Sequence, residues 1–130
     1  MCFDYKFFLH LLVLISFSLN ANSNSSNIIE NLKIEKGFSI EIFLENIDTP
    51  RQMAESDAGS IFVGSRSGGT IIAIDKSKNV RIIAKDLSNS TGVTYHNGDL
   101  YFSEVNSIWK IENIDETLSR SESIPEKKLV

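Results

Sequence analysis

The sequence is poor in the residues that usually announce a chemistry. Its 130 residues hold one cysteine, two histidines, one tryptophan and two prolines. The cysteine, Cys2, stands before an apolar run, whereas a lipobox cysteine would follow one. With one thiol there is no disulfide framework, and beyond Cys2 neither a thiolate metal site nor a cysteine nucleophile is available. No histidine pair has ligand spacing, and no Asp-x-Asp loop of the EF-hand type occurs. The stretch GSRSGG, Gly64–Gly69, lies between two strand-like runs, so it is a hairpin turn and not a nucleophile elbow. SGGT, Ser67–Thr70, lacks the Gly-Lys-Ser/Thr of a phosphate loop. Basic residues are in the minority, 13 Lys and Arg against 17 Asp and Glu, for a net charge of −4. That balance argues against nucleic acid as a partner, because phosphate binding requires clustered positive charge. No catalytic or metal-ligating residue is assigned.

One long apolar run is present. FFLHLLVLISFSL, Phe7–Leu19, follows the weakly positive MCFDYK and precedes the small polar NANSNSSN. It is short for a span of about 30 Å of hydrocarbon and has the layout of a signal peptide. Residues 1–23 are read as that peptide, with cleavage after Ala21 or Ser23, and the mature chain is expected to be periplasmic or secreted. An uncleaved membrane anchor is the alternative. Cys2 leaves with the peptide, and an exported, cysteine-free chain suits a bacterial periplasm better than a disulfide-stapled secreted domain. Residues 24–36 read as a flexible lead-in.

From Gly37 onward the pattern is that of β-structure. FSIEIFL alternates, with Phe38, Ile40, Ile42 and Leu44 on one face, and is expected to form an entering strand. The runs SIFVGS, TIIAID and VRIIA are apolar on both faces, which requires cover on both sides of their sheet. Short Gly-, Asp- and Ser-rich turns separate them. They predict a four-stranded antiparallel meander over Gln52–Glu55, Ile61–Ser65, Thr70–Ile74 and Val80–Ala84.

The meander then repeats. In GVTYHNGDLYFSEVNSIWKIEN, Gly92–Asn113, Val93 falls where Met53 stood, Gly98 where Gly59 stood, and Leu100 and Phe102 where Ile61 and Val63 stood. The preceding segments NIDTPRQM and DLSNSTGV also correspond. A period near forty, four short strands per unit and two-sided apolar faces predict β-propeller blades. A small β-sandwich, the competing architecture, would be apolar on one face only. Residues 37–130 amount to about two blades of a propeller that typically has 4–8. SIPEKKLV is read as a fresh strand starting after Pro125, so the chain is expected to be the N-terminal part of a longer or truncated protein. Further blades, or self-association, would be needed to close the fold.

The stretches RQMA (Arg51–Ala54), FVGSR (Phe62–Arg66) and LYFSEVNSI (Leu100–Ile108) resemble, in order and spacing, the start of the sorbosone dehydrogenase and soluble glucose dehydrogenase family. The resemblance implies a six-bladed propeller that binds pyrroloquinoline quinone (PQQ) and calcium and oxidises a sugar by hydride transfer to the quinone. It places the catalytic histidine, the calcium ligands and the quinone-pairing arginine beyond this chain, so the segment itself is expected to be inactive. His96 lies in the turn YHNGD and is read as a surface turn residue. Candidate cofactor contacts are Arg51 and Arg66, as guanidinium forks for carboxylates, and Asn89, Ser90 and Thr91 at the crossover between blades. Glu104 and Asn106, in the equivalent turn of the second repeat, would position a sugar hydroxyl or a neighbouring loop; an Arg66–Glu104 ion pair is the purely structural alternative. A non-catalytic propeller of the NHL or lactonase-like sort, serving as a binding scaffold, is the second functional expectation.

Overall fold

A computed structural model describes residues 29–120 and 123–130. The signal-peptide reading of residues 1–23 lies outside the described residues. All eight strands fall within one unit, Phe43–Val130. They form two four-stranded antiparallel sheets, each a simple meander. The first contains β1 (Pro50–Glu55), β2 (Ile61–Ser65), β3 (Ile71–Ile74) and β4 (Val80–Ala84). The second contains β5 (Val93–His96), β6 (Asp99–Ser103), β7 (Ile108–Ile111) and the two-residue β8 (Lys128–Leu129).

The turns dictate where the strands end. In the β5–β6 hairpin Asn97 and Gly98 both have positive φ, 51° and 88°. That is the pairing a two-residue turn needs to match strand twist, and Asn-Gly supplies it at least steric cost. In the β3–β4 turn the Asp75 carboxylate accepts from the backbone N–H groups of Ser77 and Asn79, at 2.8 and 2.9 Å. Those bonds and the Asn79 side chain, which is the largest influence, hold the Asp75 carboxyl below its usual range.

The repeat extends to backbone conformation. Asn46 and Asp86 both have positive φ, and so do Thr49 and Asn89; each pair is separated by one repeat. These four residues shape the crossing segments that lead into β1 and β5.

Both faces of the first sheet are used. Phe62, Ile71, Ala73 and Ile83 share a core with Val93, Leu100, Phe102 and Ile111 of the second sheet. Val63, Ile72 and Ile74 point the other way and meet Leu44 and Ile47. Cross-strand pairing makes Met53–Val63 equivalent to Val93–Phe102, and Ile61–Ile74 equivalent to Leu100–Ile111. So the face that the second sheet presents to the first corresponds to the face that the first turns away. The sheets stack in the same sense, front to back, and are not mirrored like the inner faces of a sandwich.

Gly64 marks a close approach of the crossing segment to β2. A Cβ there would lie 2.7 Å from the Ser90 carbonyl oxygen and 2.8 Å from that of Thr91. The segment crossing between the sheets therefore runs directly over β2, and fully buried Ser90 donates its hydroxyl to the carbonyls of Ser65 (3.1 Å) and Thr70 (3.3 Å).

One expectation is corrected and one element is new. Phe38–Leu44 forms no strand: residues 38–47 join no ladder, and Phe38 is 78% exposed. Alternation alone is insufficient, because an extended segment needs a neighbour to satisfy its backbone. SIPEKKLV does hold the strand expected after Pro125, and that strand is the fourth of the second sheet, since Trp109–Leu129 and Lys110–Lys128 pair. The excursion before it contains a short helix, α1 (Ile114–Ser119), which sequence reading missed. Its signals are acidic Asp115 and Glu116 in the first turn, which suit the helix dipole, and Ile114 and Thr117 buried one turn apart.

Candidate functional site

At one end of the unit four connections come together. Thr49, before β1, accepts from the N–H of Arg66 through its carbonyl (3.1 Å) and from the N–H of Gly68 through its hydroxyl (3.0 Å). The N–H of Leu87 bonds the carbonyl of Gly69 at 3.0 Å. The N–H of Val105 bonds the carbonyl of Ser88 at 3.1 Å. A continuous rim results, running from residues 46–49 through the β2–β3 turn and the 85–92 crossover to the β6–β7 turn.

All seven candidate positions lie on this rim or at its border. Arg51, at the start of β1, is exposed, as are Arg66 and Asn89. Asn89 adopts positive φ and its carbonyl accepts from the Thr91 N–H at 2.8 Å, so its local role is a tight turn. Thr91 is half-buried where the chain crosses Gly64. Asn106 is exposed and accepts from the Ser107 hydroxyl at 3.1 Å.

Glu104 is fully engaged. Its Oε1 accepts from the Ser88 N–H at 2.8 Å, and its Oε2 accepts from Trp109 Nε1 at 2.5 Å and Lys127 Nζ at 3.2 Å. The Ser88 N–H is the largest influence holding its carboxyl below the usual range, with Lys127 and Trp109 adding to it. Lys127 also stands 4.1 Å above the Trp109 ring, a cation–π contact. In place of the alternative ion pair with Arg66, Glu104 pairs with Lys127, because the lead into β8 brings a lysine to this carboxylate. Glu104 thus ties the crossover, β7 and the β8 lead together.

The opposite end carries a polar cluster with no counterpart in the sequence reading. Tyr95 donates to Asp115 Oδ2 at 2.8 Å, and Asp57 Oδ2 lies 3.3 Å from the same hydroxyl. The Asp115 carboxylate also accepts from the Ala58 N–H at 3.3 Å. Hydrogen bonding to Asp115, followed by partial burial and the two negative charges, pushes the Tyr95 phenol up to about 12. The Tyr95 ring stacks on Phe62 with centroids 6.4 Å apart. The cluster joins the β1–β2 turn of the first sheet to α1 above the second. The helix had to be known before Asp115 could be placed there.

On the outer face of the second sheet Lys110 bridges Asp99 (3.4 Å) and Glu112 (2.9 Å), and Lys128 also pairs with Glu112. The two lysines, Lys128 first, bring the Glu112 carboxyl down to about 2. His96 is exposed at the end of β5, its Nε2 lying 3.0 Å from Asn97 Nδ2. Among the described residues no three His, Cys, Asp or Glu side chains converge as metal ligands. No helix among them is long and apolar enough to cross a membrane.

No protein-family model matches the chain. It is similar to an uncharacterized protein of Borreliella burgdorferi, with 35% identity over 98 residues, covering 75% of this chain and 26% of that protein. The chain thus spans about a quarter of the length of the relative it matches.

Proposed function

We propose that the chain supplies two consecutive blades of a six-bladed propeller related to the PQQ-dependent sugar dehydrogenases, with an architectural role and the chemistry carried by other blades. The same-sense stacking of two equivalent meanders carries the propeller reading. Blades related by rotation about an axis must each present the same front to the next one's back, and a sandwich need not. The match to a quarter of a longer relative is consistent with this. Sugar oxidation rests on the resemblance of Arg51–Ala54, Phe62–Arg66 and Leu100–Ile108 to that family.

Among the candidate contacts, Glu104 is committed to the protein's own donors. Both Glu104 oxygens are filled by protein donors, and the metal-ligand types do not converge among the described residues. That engagement of the rim by internal bonds favours a second reading, a non-catalytic propeller used as a binding scaffold.

The two readings separate in a dye-reduction assay with an aldose, PQQ and calcium. It is run on the purified chain and on a chimera carrying residues 29–130 in place of the matching segment of the longer relative. The first reading predicts no turnover by the chain and turnover by the chimera. A folded chimera without turnover would overturn sugar oxidation and leave the scaffold.

A further inference from the structure

The forty-residue repeat reaches back past the first sheet. One repeat before Ile72–Ala84, IAIDKSKNVRIIA, stands Leu32–Leu44, LKIEKGFSIEIFL. Ile72–Ala84 is the hairpin of β3 and β4. Its turn closes as the Lys78 N–H donates to the Asp75 carbonyl at 2.9 Å, and in the earlier stretch the Phe38 N–H donates to the Glu35 carbonyl at 3.1 Å. The crossing segments that follow also agree, through the positive φ shared by Asn46 and Asp86 and by Thr49 and Asn89.

The β3–β4 register, applied to the earlier stretch, gives a complementary ladder. Ile72–Ile82 becomes Leu32–Ile42, Ile74–Val80 becomes Ile34–Ile40, and Ala73–Arg81 becomes Lys33–Glu41. Two apolar pairs then flank two opposite charges that face each other across the strands, a combination that stabilises an antiparallel pair. Leu44 and Ile47 meet Val63, Ile72 and Ile74, one repeat before Ala84 and Leu87 join the core between the sheets.

Leu32–Leu44 nevertheless joins no ladder, and Leu32, Ile34, Ile40, Ile42 and Phe43 are exposed. Two strands alone are marginal in water, and the β3–β4 hairpin is backed by β2 and β1. The repeat does not supply such inner strands here. One repeat before Ile61, Phe62 and Val63 stand Ala21, Asn22 and Ser23, without the apolar run.

We propose that Leu32–Leu44 is the outer hairpin of a further sheet, whose two inner strands come from a separate segment of the longer polypeptide. This rests on the propeller reading and adds that one blade is shared between distant parts of the sequence. The register defines the partner: two antiparallel strands of about five residues, apolar on both faces. One of them presents apolar side chains opposite Leu32 and Ile34, as Val63 and Ile61 do opposite Ile72 and Ile74.

The test is amide hydrogen exchange, read by mass spectrometry, on the purified full chain and on the chimera carrying residues 29–130 in place of the matching segment of the longer relative. Lys33–Glu35 and Ser39–Phe43 should exchange freely in the chain and about a hundredfold or more slowly in the chimera. Ile42→Asp should leave the chain's urea midpoint unchanged and remove that protection in the chimera. Peroxide oxidation of Met53, exposed beside Val63 on the far side of the first sheet, is followed in parallel. Free exchange at these residues in a chimera that shields Met53 would overturn the shared blade and leave the propeller reading standing. Free exchange with Met53 oxidised at the chain's own rate would overturn both. Protection already present in the chain would overturn the shared blade too, because no second segment would be needed. If the chimera does not fold, the exchange is read on the intact relative at the residues matching Lys33–Phe43, and free exchange there overturns the shared blade.

Discussion

Gly64→Ala is the most informative single substitution. Gly64 is a strand residue whose φ lies outside the left-handed region, so alanine can adopt the backbone conformation. Stiffening the unfolded chain alone would then stabilise the protein by about 0.4–1 kcal/mol. Opposing this, the new methyl would meet the carbonyl oxygens of Ser90 and Thr91 at 2.7 and 2.8 Å, inside any normal contact. Neither oxygen belongs to a side chain that can swing aside, and the Ser90 hydroxyl clamps its segment to the carbonyls of Ser65 and Thr70. Overpacking of that kind costs about 1–3 kcal/mol or more, so a net loss of about 2 kcal/mol is expected. With a urea slope of about 2 kcal/mol/M the unfolding midpoint should fall by about 1 M. Ser103 occupies the equivalent position of the second sheet and already carries a Cβ. Ser103→Ala should cost only its hydrogen bond from the Gly92 N–H, about 1 kcal/mol. A Gly64→Ala protein as stable as the parent, or more so, would refute the crossover placement.

Three further outcomes follow from the same contacts. Phe62→Ala empties the centre of the inter-sheet core, where Phe62 is 0% exposed, and should cost about 3–5 kcal/mol in the same urea assay. Glu104 has its carboxyl held below the ordinary 4.5, so its contribution to stability is present above that value and is lost as pH falls below it. Glu104→Gln should lower the urea midpoint at neutral pH and reduce the loss seen in mild acid. The Tyr95 phenol is raised from 10.0 to about 12, so stability tied to its neutral form persists below about pH 10 and is lost as pH rises toward 12. Tyrosinate absorbance should show this late titration, and Asp115→Asn should move it back toward 10.0.

The strands were legible where local signals agreed. SIFVGS, TIIAID and VRIIA combine β-branched residues with turns that permit few alternatives, and the observed β2 and β4 have the expected bounds. The forty-residue repeat was legible because its crossing segments keep the same shape, which Asn46–Asp86 and Thr49–Asn89 now share as positive φ. Phe38–Leu44 misled because alternation records amphipathicity and does not supply the partner that a strand requires. The loops that carry the candidate residues do converge on one rim. The engagement of Glu104 was not legible, because Lys127 reaches it only after a helical excursion closes the second sheet. The Tyr95–Asp57–Asp115 cluster was hidden for a similar reason: its members come from a strand, a turn and a helix that only the folded sheets bring together.

The central claim is that the two meanders stack in the same sense, with Phe62 and not Val63 facing the second sheet. Side-chain nuclear Overhauser contacts in the isotopically labelled chain test it directly. The account predicts cross-peaks from Phe62 to Tyr95 and from Ile71 and Ile83 to Leu100 or Phe102, with none from Val63, Ile72 or Ile74 to the second sheet. Cross-peaks from Val63 and Ile72 to Leu100 or Phe102 would make the arrangement a mirrored sandwich and contradict it.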